Sequence, residues 1–186
     1  MRLFLAVFPP EAVRAALHQA AAPLRERGAG VSWVSAANLH FTMRFLGELG
    51  EDGARRAGEA ALEAAAASPA FEAVPGAYGA FPGARRARVI WVGLERGGQA
   101  LVALARALDR ALERRGFDAP DRAFTAHLTL GRVRGREADW SAALAAAPAQ
   151  GPAGLGFRVE RLSVVESTLS PRGSIYRVRL EAPLAP

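Results

Sequence analysis

LHFTMRF (39–45) alternates apolar and polar residues without a break. Leu39, Phe41, Met43 and Phe45 fall on one face, and His40, Thr42 and Arg44 on the other. Successive side chains of an extended chain point to opposite faces, so this period of two predicts a half-buried strand with a polar open face. The content of that face is unusual, because the chain has only three histidines. A second copy, HLTL at 127–130, uses another of them in the same His-x-Thr spacing, about half a chain length further on. For a single copy, a satisfied histidine and a β-forming threonine are explanation enough. Two copies, each after a helix and each in an apparent strand, predict two similar lobes whose pseudo-two-fold brings two imidazoles and two hydroxyls together across a cleft.

The chain of 186 residues, 51% hydrophobic, is long enough for one domain with a sizeable core or for two small lobes sharing one. The opening MRLFLAVFPPE has an apolar stretch too short for a signal peptide, and no apolar run reaches membrane-spanning length, so a cytoplasmic protein without a membrane partner is expected. The absence of cysteine excludes disulfides and thiolate chemistry, and with three histidines a metal site would have to lean on carboxylates; no metal is expected. All 24 basic residues are arginine, and the formal charge is +6. GC-rich coding, which also enriches Ala, Gly and Pro, accounts for most of the arginine usage. The positive sign itself is consistent with an anionic partner.

Reading outward from the two motifs, RLFLAVF (2–8) predicts a buried strand. PPEAVRAALHQAAAPLRERG predicts a helix starting near Pro10, kinked or ended early by Pro23 and stopping at Gly28, with Val13, Leu17 and Leu24 buried and His18 on the solvated side. EDGARRAGEAALEAAAASP reads as an alanine-rich helix ending before Pro69. FEAVPGAYGAFPG and ARVIWVGLE read as strands around a turn, and GGQALVALARALDRALERRG as a helix with Leu101, Leu104, Leu108 and Leu112 in register and Gly116 as its stop. FTAHLTLGRV reads as a strand, Trp140 to Ala147 as a short helix, and LGFRVERLSVVESTLSPRGSIYRVRLEAPL as two long strands joined across SPRG. No regular strand–helix repeat and no glycine-rich phosphate loop occurs, which argues for α+β with antiparallel sheet.

Two facing imidazoles suit in-line displacement at phosphorus. An unperturbed histidine has a pKa of about 6.5, so one ring can act as base while the other, protonated, acts as acid. The threonine two residues on lies about 7 Å further along the same face, where its hydroxyl can donate to a non-bridging phosphate oxygen. The residues alone do not say which histidine takes which role.

These motifs, with RLFLAVFPP, NLHFTMRFLGEL, VIWVGL, HLTLGRV and the terminal LSVVESTLSPRGSIYRVRL, resemble the 2H phosphoesterase superfamily. Within it they resemble the RNA 2',3'-cyclic phosphodiesterases once called 2'-5' RNA ligases. The resemblance implies a bilobal α+β fold, two pseudo-symmetric antiparallel-sheet lobes with outer helices and a central cleft. Residues 1–186 would form a single domain of two intertwined lobes, one carrying the 40–43 motif and the other the 127–130 motif. It implies opening of an RNA 3'-terminal 2',3'-cyclic phosphate to a 2'-phosphomonoester by a monomer without cofactor or metal, with ATP-independent 2'-5' joining of tRNA halves as a side or reverse activity. By motif position His40 would be the proton donor and His127 the proton acceptor, with Thr42 and Thr129 holding the phosphate. The chain departs from the family pattern in having Ala126 where Pro often precedes the second motif, and Ser35, Ala36 and Ala37 where the lead-in to the first is often Pro-rich.

Alternation places Arg44 beside His40 and Thr42 as a substrate contact. It places Arg132 on the core side with Leu128 and Leu130, unless a bulge at Gly131 turns it into the cleft to bind substrate, where the family tends to carry Arg. Base-stacking candidates are Phe8, Phe124 and Tyr176. Two other readings compete: a 2H phosphoesterase for a small cyclic nucleotide or ADP-ribose cyclic phosphate, and a non-catalytic module that binds RNA ends.

Overall fold

The structure is a computed structural model that describes residues 1–27, 30–148, 152, 154–171 and 173–186. Its elements in chain order are β1 (Arg2–Val7), α1 (Glu11–Ala20), α2 (Ala22–Arg27), β2 (Val31–Trp33), β3 (Phe41–Glu48), α3 (Glu51–Ala66), β4 (Phe71–Phe81), β5 (Val89–Arg96), α4 (Gly98–Glu113), β6 (Leu128–Val133), α5 (Ser141–Ala145), β7 (Phe157–Val159), β8 (Arg161–Ser170) and β9 (Gly173–Pro183). A 3-10 turn at Ala36–Asn38 leads into the first motif. The predicted helix stop Gly28 lies outside the described residues, as does Arg172 of the SPRG turn.

Among the described residues the strands order as β7-β4-β5-β6-β3-β1-β8-β9, with β2 added on β6, and neighbouring strands pair antiparallel. Two half-sheets are visible in that order. The half β3-β1-β8-β9 and the half β7-β4-β5-β6 meet at one pair, Phe41 opposite Leu128. Each of these residues stands between the His and the Thr of its motif, so the seam of the sheet is the pair of motifs. Both side chains are buried, at 2% and 0% exposure, and belong to the main core.

The core side of the sheet is covered by the two long helices. Helix α4 buries Leu101, Leu104, Leu108 and Leu112, as its leucine spacing predicts. Helix α3 buries Ala57, Ala60, Ala61 and Ala64, whose small side chains allow close packing against α4 and the β8–β9 pair. Helical propensity also favours alanine here.

The first helix ends early, as expected near Pro23: it divides at Ala21, so that Pro23 sits in the first turn of α2, where its missing N–H costs no hydrogen bond. Two other expectations differ from the structure. His18 is half-buried rather than solvated: the Arg25 guanidinium donates to its carbonyl, and burial first, then that charge, holds its pKa below the ordinary value. The terminal segment is three strands, because β7 pairs with β4 in one half-sheet and β8 pairs with β1 in the other, the chain crossing over at Glu160.

Candidate active site

Each histidine lies one residue before its strand, His40 just after the 3-10 turn at Ala36–Asn38 and His127 at the end of an irregular segment. The Nδ1 of His40 contacts the Asn38 carbonyl at 2.7 Å, and the Nδ1 of His127 contacts the Thr125 carbonyl at 2.8 Å. A carbonyl only accepts, so Nδ1 carries the proton in both rings, and in the neutral form both Nε2 atoms are bases. The two motifs therefore fix the same tautomer by the same device, a hydrogen bond to the residue two positions earlier. The Nε2 of His40 accepts from the Thr42 hydroxyl at 3.0 Å. With Phe41 opposite Leu128, antiparallel register sets His40 towards Thr129 and Thr42 towards His127, on the face away from the core.

Aromatic rings wall both imidazoles. His40 lies 5.0 Å from Phe4, 5.4 Å from Phe8 and 5.4 Å from Tyr176, centroid to centroid. His127 lies 4.9 Å from Phe81 and 6.4 Å from Trp91. Burial among these rings is the main reason that both histidines hold their protons less tightly than usual. The Arg132 guanidinium adds to this at both, His127 adds to it at His40, and the carbonyl contacts oppose it. His127 and Arg132 are thus close enough to His40 to be felt electrostatically.

Both motif strands carry an extra residue three positions after the histidine. On β3, Thr42 pairs with Ala6 and Arg44 with Leu5, leaving Met43 unpaired. On β6, Thr129 pairs with Trp91 and Gly131 with Ile90, leaving Leu130 unpaired. A bulge reverses the inside–outside alternation beyond it. Arg132 accordingly turns to the face of Thr129 and is exposed, as a bulge at Gly131 would have turned it; the bulge falls one residue earlier. The close approach of Val31 and Trp33 leaves no room for a Cβ at Gly131, 2.6 Å and 2.7 Å from their nearest atoms.

The same reversal overturns the expectation for Arg44. It pairs with Leu5 of the core face instead of sharing the face of His40. Its guanidinium is held by the Asp109 carboxylate of α4 at 3.2 Å and by the Asp118 carbonyl. Phe45, expected inside, is 51% exposed, with the Arg2 guanidinium 5.1 Å above its ring. Arg44 and Asp109 are only 14% and 18% exposed, so the pair ties β3 to α4 within the wall of the protein. Asp109→Ala is expected to lower stability by about 2–4 kcal/mol, because it strands a nearly buried guanidinium. Chemical denaturation reads the loss, which should leave the KM for substrate within about twofold, since a drop of 1.4 kcal/mol in binding would already be tenfold.

Phe8 and Tyr176 stand at His40, whereas Phe124 packs on the main core. Sequence reading missed Phe4, Asn38, Phe81 and Trp91. For Trp91 a signal existed: in VIWVGL it alternates with Ile90 and Val92, which are core. Asn38 has no such pattern; its side chain donates to the Ser174 carbonyl at 2.8 Å and so joins the β8–β9 hairpin to the residue that orients His40. Among the described residues no three His, Asp or Glu side chains gather as a metal-binding group, and no helix is long and apolar enough to cross a membrane.

Two antiparallel half-sheets that meet at paired His-x-Thr motifs define a two-histidine phosphoesterase of the 2H type. A family model described as LigT like Phosphoesterase matches twice, over residues 7–91 and 92–176, and the chain belongs to that family. A protein of Methanothermobacter thermautotrophicus named RNA 2',3'-cyclic phosphodiesterase is 35% identical over 177 residues, 95% of each chain. One of Thermotoga maritima with the same name is 31% identical over 181 residues, 97% of this chain and 94% of the other. The crystal structure of TT0787 of Thermus thermophilus superimposes with a TM-score of 0.81 and 31% identity, over 99% of this chain and 98% of that one.

Proposed function

We propose that the protein opens the 2',3'-cyclic phosphate at an RNA 3' end to a 2'-phosphomonoester, using His127 as base and His40 as acid. The observation that carries this reading is the pair of imidazoles with matched tautomers at the seam of the sheet. The names of the relatives support the substrate. Nε2 of His127 takes a proton from water as its oxygen attacks phosphorus. Nε2–H of protonated His40 gives its proton to O3' as the P–O3' bond breaks, leaving the phosphate on O2' and a free 3' hydroxyl. The two protons moved balance, and exchange with solvent resets the rings.

Thr42 and Thr129 donate to the non-bridging oxygens, and Arg132 offsets the charge that builds on them. The same guanidinium that lowers the His40 pKa in the free protein is offset when an anionic phosphodiester binds, so substrate itself promotes protonation of the acid. With acid, base and charge compensation all supplied by side chains, the reaction needs no metal or cofactor. A 5' hydroxyl can take the place of water, which gives 2'-5' joining as a side or reverse reaction. The chain acts as one domain of two intertwined lobes and as a monomer.

The test is incubation of the protein, in EDTA and without ATP, with a short RNA ending in a 2',3'-cyclic phosphate. A 2'-phosphate product in EDTA is expected. An unchanged RNA end, with turnover of a small cyclic phosphate instead, overturns the RNA reading, and loss of activity in EDTA overturns the metal-free one.

A further inference from the structure

We propose that Trp91, laid over Gly79 and flanked by Phe81, is a nucleobase-binding shelf on the His127 side of the cleft; the proposal rests on the reading of the protein as a cyclic phosphodiesterase. The face is set by register. Trp91 pairs with Thr129 on one side and with Gly79 on the other, while its neighbours Ile90 and Val92 are buried in the core. The indole therefore projects from the face that carries Thr129.

On that face it lies directly over the backbone of β4. A Cβ at Gly79 would stand 2.3 Å, 2.4 Å and 2.9 Å from Cζ2, Cη2 and Cε2 of the indole, and one at Gly93 would stand 3.3 Å from Cζ3. Both glycines have ordinary extended backbone, so conformational freedom does not explain them, and glycine inside a strand weakens it. What they do is clear the sheet surface, so that the large ring of Trp91 can lie down instead of standing up into the cleft. The Nε1 of the ring is buried without a hydrogen-bond partner, so no acceptor within the fold accounts for this pose.

A recumbent indole has one face on the backbone and one face towards the cleft. Phe81 extends the platform at 5.1 Å with a tilt of 35°, and it packs nearly perpendicular to His127 at 4.9 Å. The aromatic wall at His40 is different, since Phe4 is buried at 4% exposure beneath the imidazole and Tyr176, whereas Trp91 is only half-buried. The shelf beside His127 is thus an aromatic surface next to a proton-transfer group, of the kind on which nucleobases stack. Such stacking is worth roughly 1–3 kcal/mol per base and tolerates any base, because every base has a π-face. The base can belong to the nucleotide that carries the cyclic phosphate or to a second strand.

Two variants test this: Trp91→Leu removes the shelf, and Gly79→Val lifts the indole while keeping it. Each is compared with wild type, after a melting curve confirms folding, on a dinucleotide ending in adenosine 2',3'-cyclic phosphate and on a ribose 2',3'-cyclic phosphate without a base. The ratio of the two kcat/KM values is expected to fall about tenfold in both variants if the base is the substrate's own. If the ratio holds but inhibition by adenosine 5'-monophosphate weakens about tenfold, the shelf takes the base of a second strand. An unchanged ratio with unchanged inhibition overturns the proposal, whether or not both substrates lose rate equally. Should wild type open neither substrate, the cyclic phosphodiesterase reading fails by itself. The shelf is then decided by tryptophan fluorescence: quenching by adenosine 5'-monophosphate is expected in wild type and lost in Trp91→Leu. No quenching in wild type, or quenching that persists in the variant, overturns it.

Discussion

Alanine at His127 or at His40 is expected to lower turnover of a cyclic-phosphate RNA end by about 10²–10⁴-fold, the usual contribution of one positioned acid or base. The two variants should differ in pH profile, and that difference assigns the roles. With His127 as base and His40 as acid, as proposed, the active free form would have His127 neutral and His40 protonated. Both pKa values lie below the ordinary value of about 6.5, so the wild-type kcat/KM optimum is expected on the acid side of it. Loss of the base removes the limb on which rate climbs with pH. Removal of the acid abolishes the limb on which it falls. His127→Ala should therefore keep only the descending limb and His40→Ala only the ascending one; exchanged limbs would reverse the assignment. Near-full activity in either variant ends the acid–base reading. Melting curves for both proteins separate lost chemistry from a lost fold, since each imidazole also fills space among its aromatic neighbours.

The parts of this fold that depend on periodicity were legible in the sequence. The leucines of α4 and the alternation around His40 and His127 placed the core, the two motifs and the antiparallel class. The bulges were not legible, for a physical reason. Met43 and Leu130 are apolar and remain in the core, so an alternating string reads the same whether or not a residue is left unpaired there. Only the partner strand reveals the shift, and the partners are remote in sequence: Leu5 for Arg44, Ile90 for Gly131. The consequence is confined to residues beyond the bulge, which is why His40, Thr42, His127 and Thr129 kept their predicted face while Arg44 and Phe45 exchanged theirs. The aromatic walls were hidden for a related reason. Phe4 occupies a strand of buried apolar residues, and hydrophobicity alone does not distinguish the ring that faces the core from the ring that faces a cleft; only at Trp91 does alternation with Ile90 and Val92 mark the face.

Arg132→Met is expected to reduce kcat/KM by about 10- to 150-fold, the loss of one hydrogen-bonded charge of about 1.5–3 kcal/mol. The bulges make this residue one half of an asymmetric pair. Phe45 and Arg132 stand at the same distance after their histidines and beyond equivalent bulges, yet one is an aromatic and the other a cation. At this pair of equivalent positions the motif strand itself supplies a cation on β6 and an aromatic ring on β3. That guanidinium lowers the proton affinity of both imidazoles, so its removal should raise both pKa values and carry the whole kcat/KM optimum towards higher pH. A side chain that merely braced the sheet would lower activity without moving the optimum. Arg132→Lys keeps the charge and loses the planar fork, so it should hold the optimum near that of wild type while recovering only part of the rate. An unshifted optimum in Arg132→Met would separate the arginine from the histidines and remove it from the phosphate site.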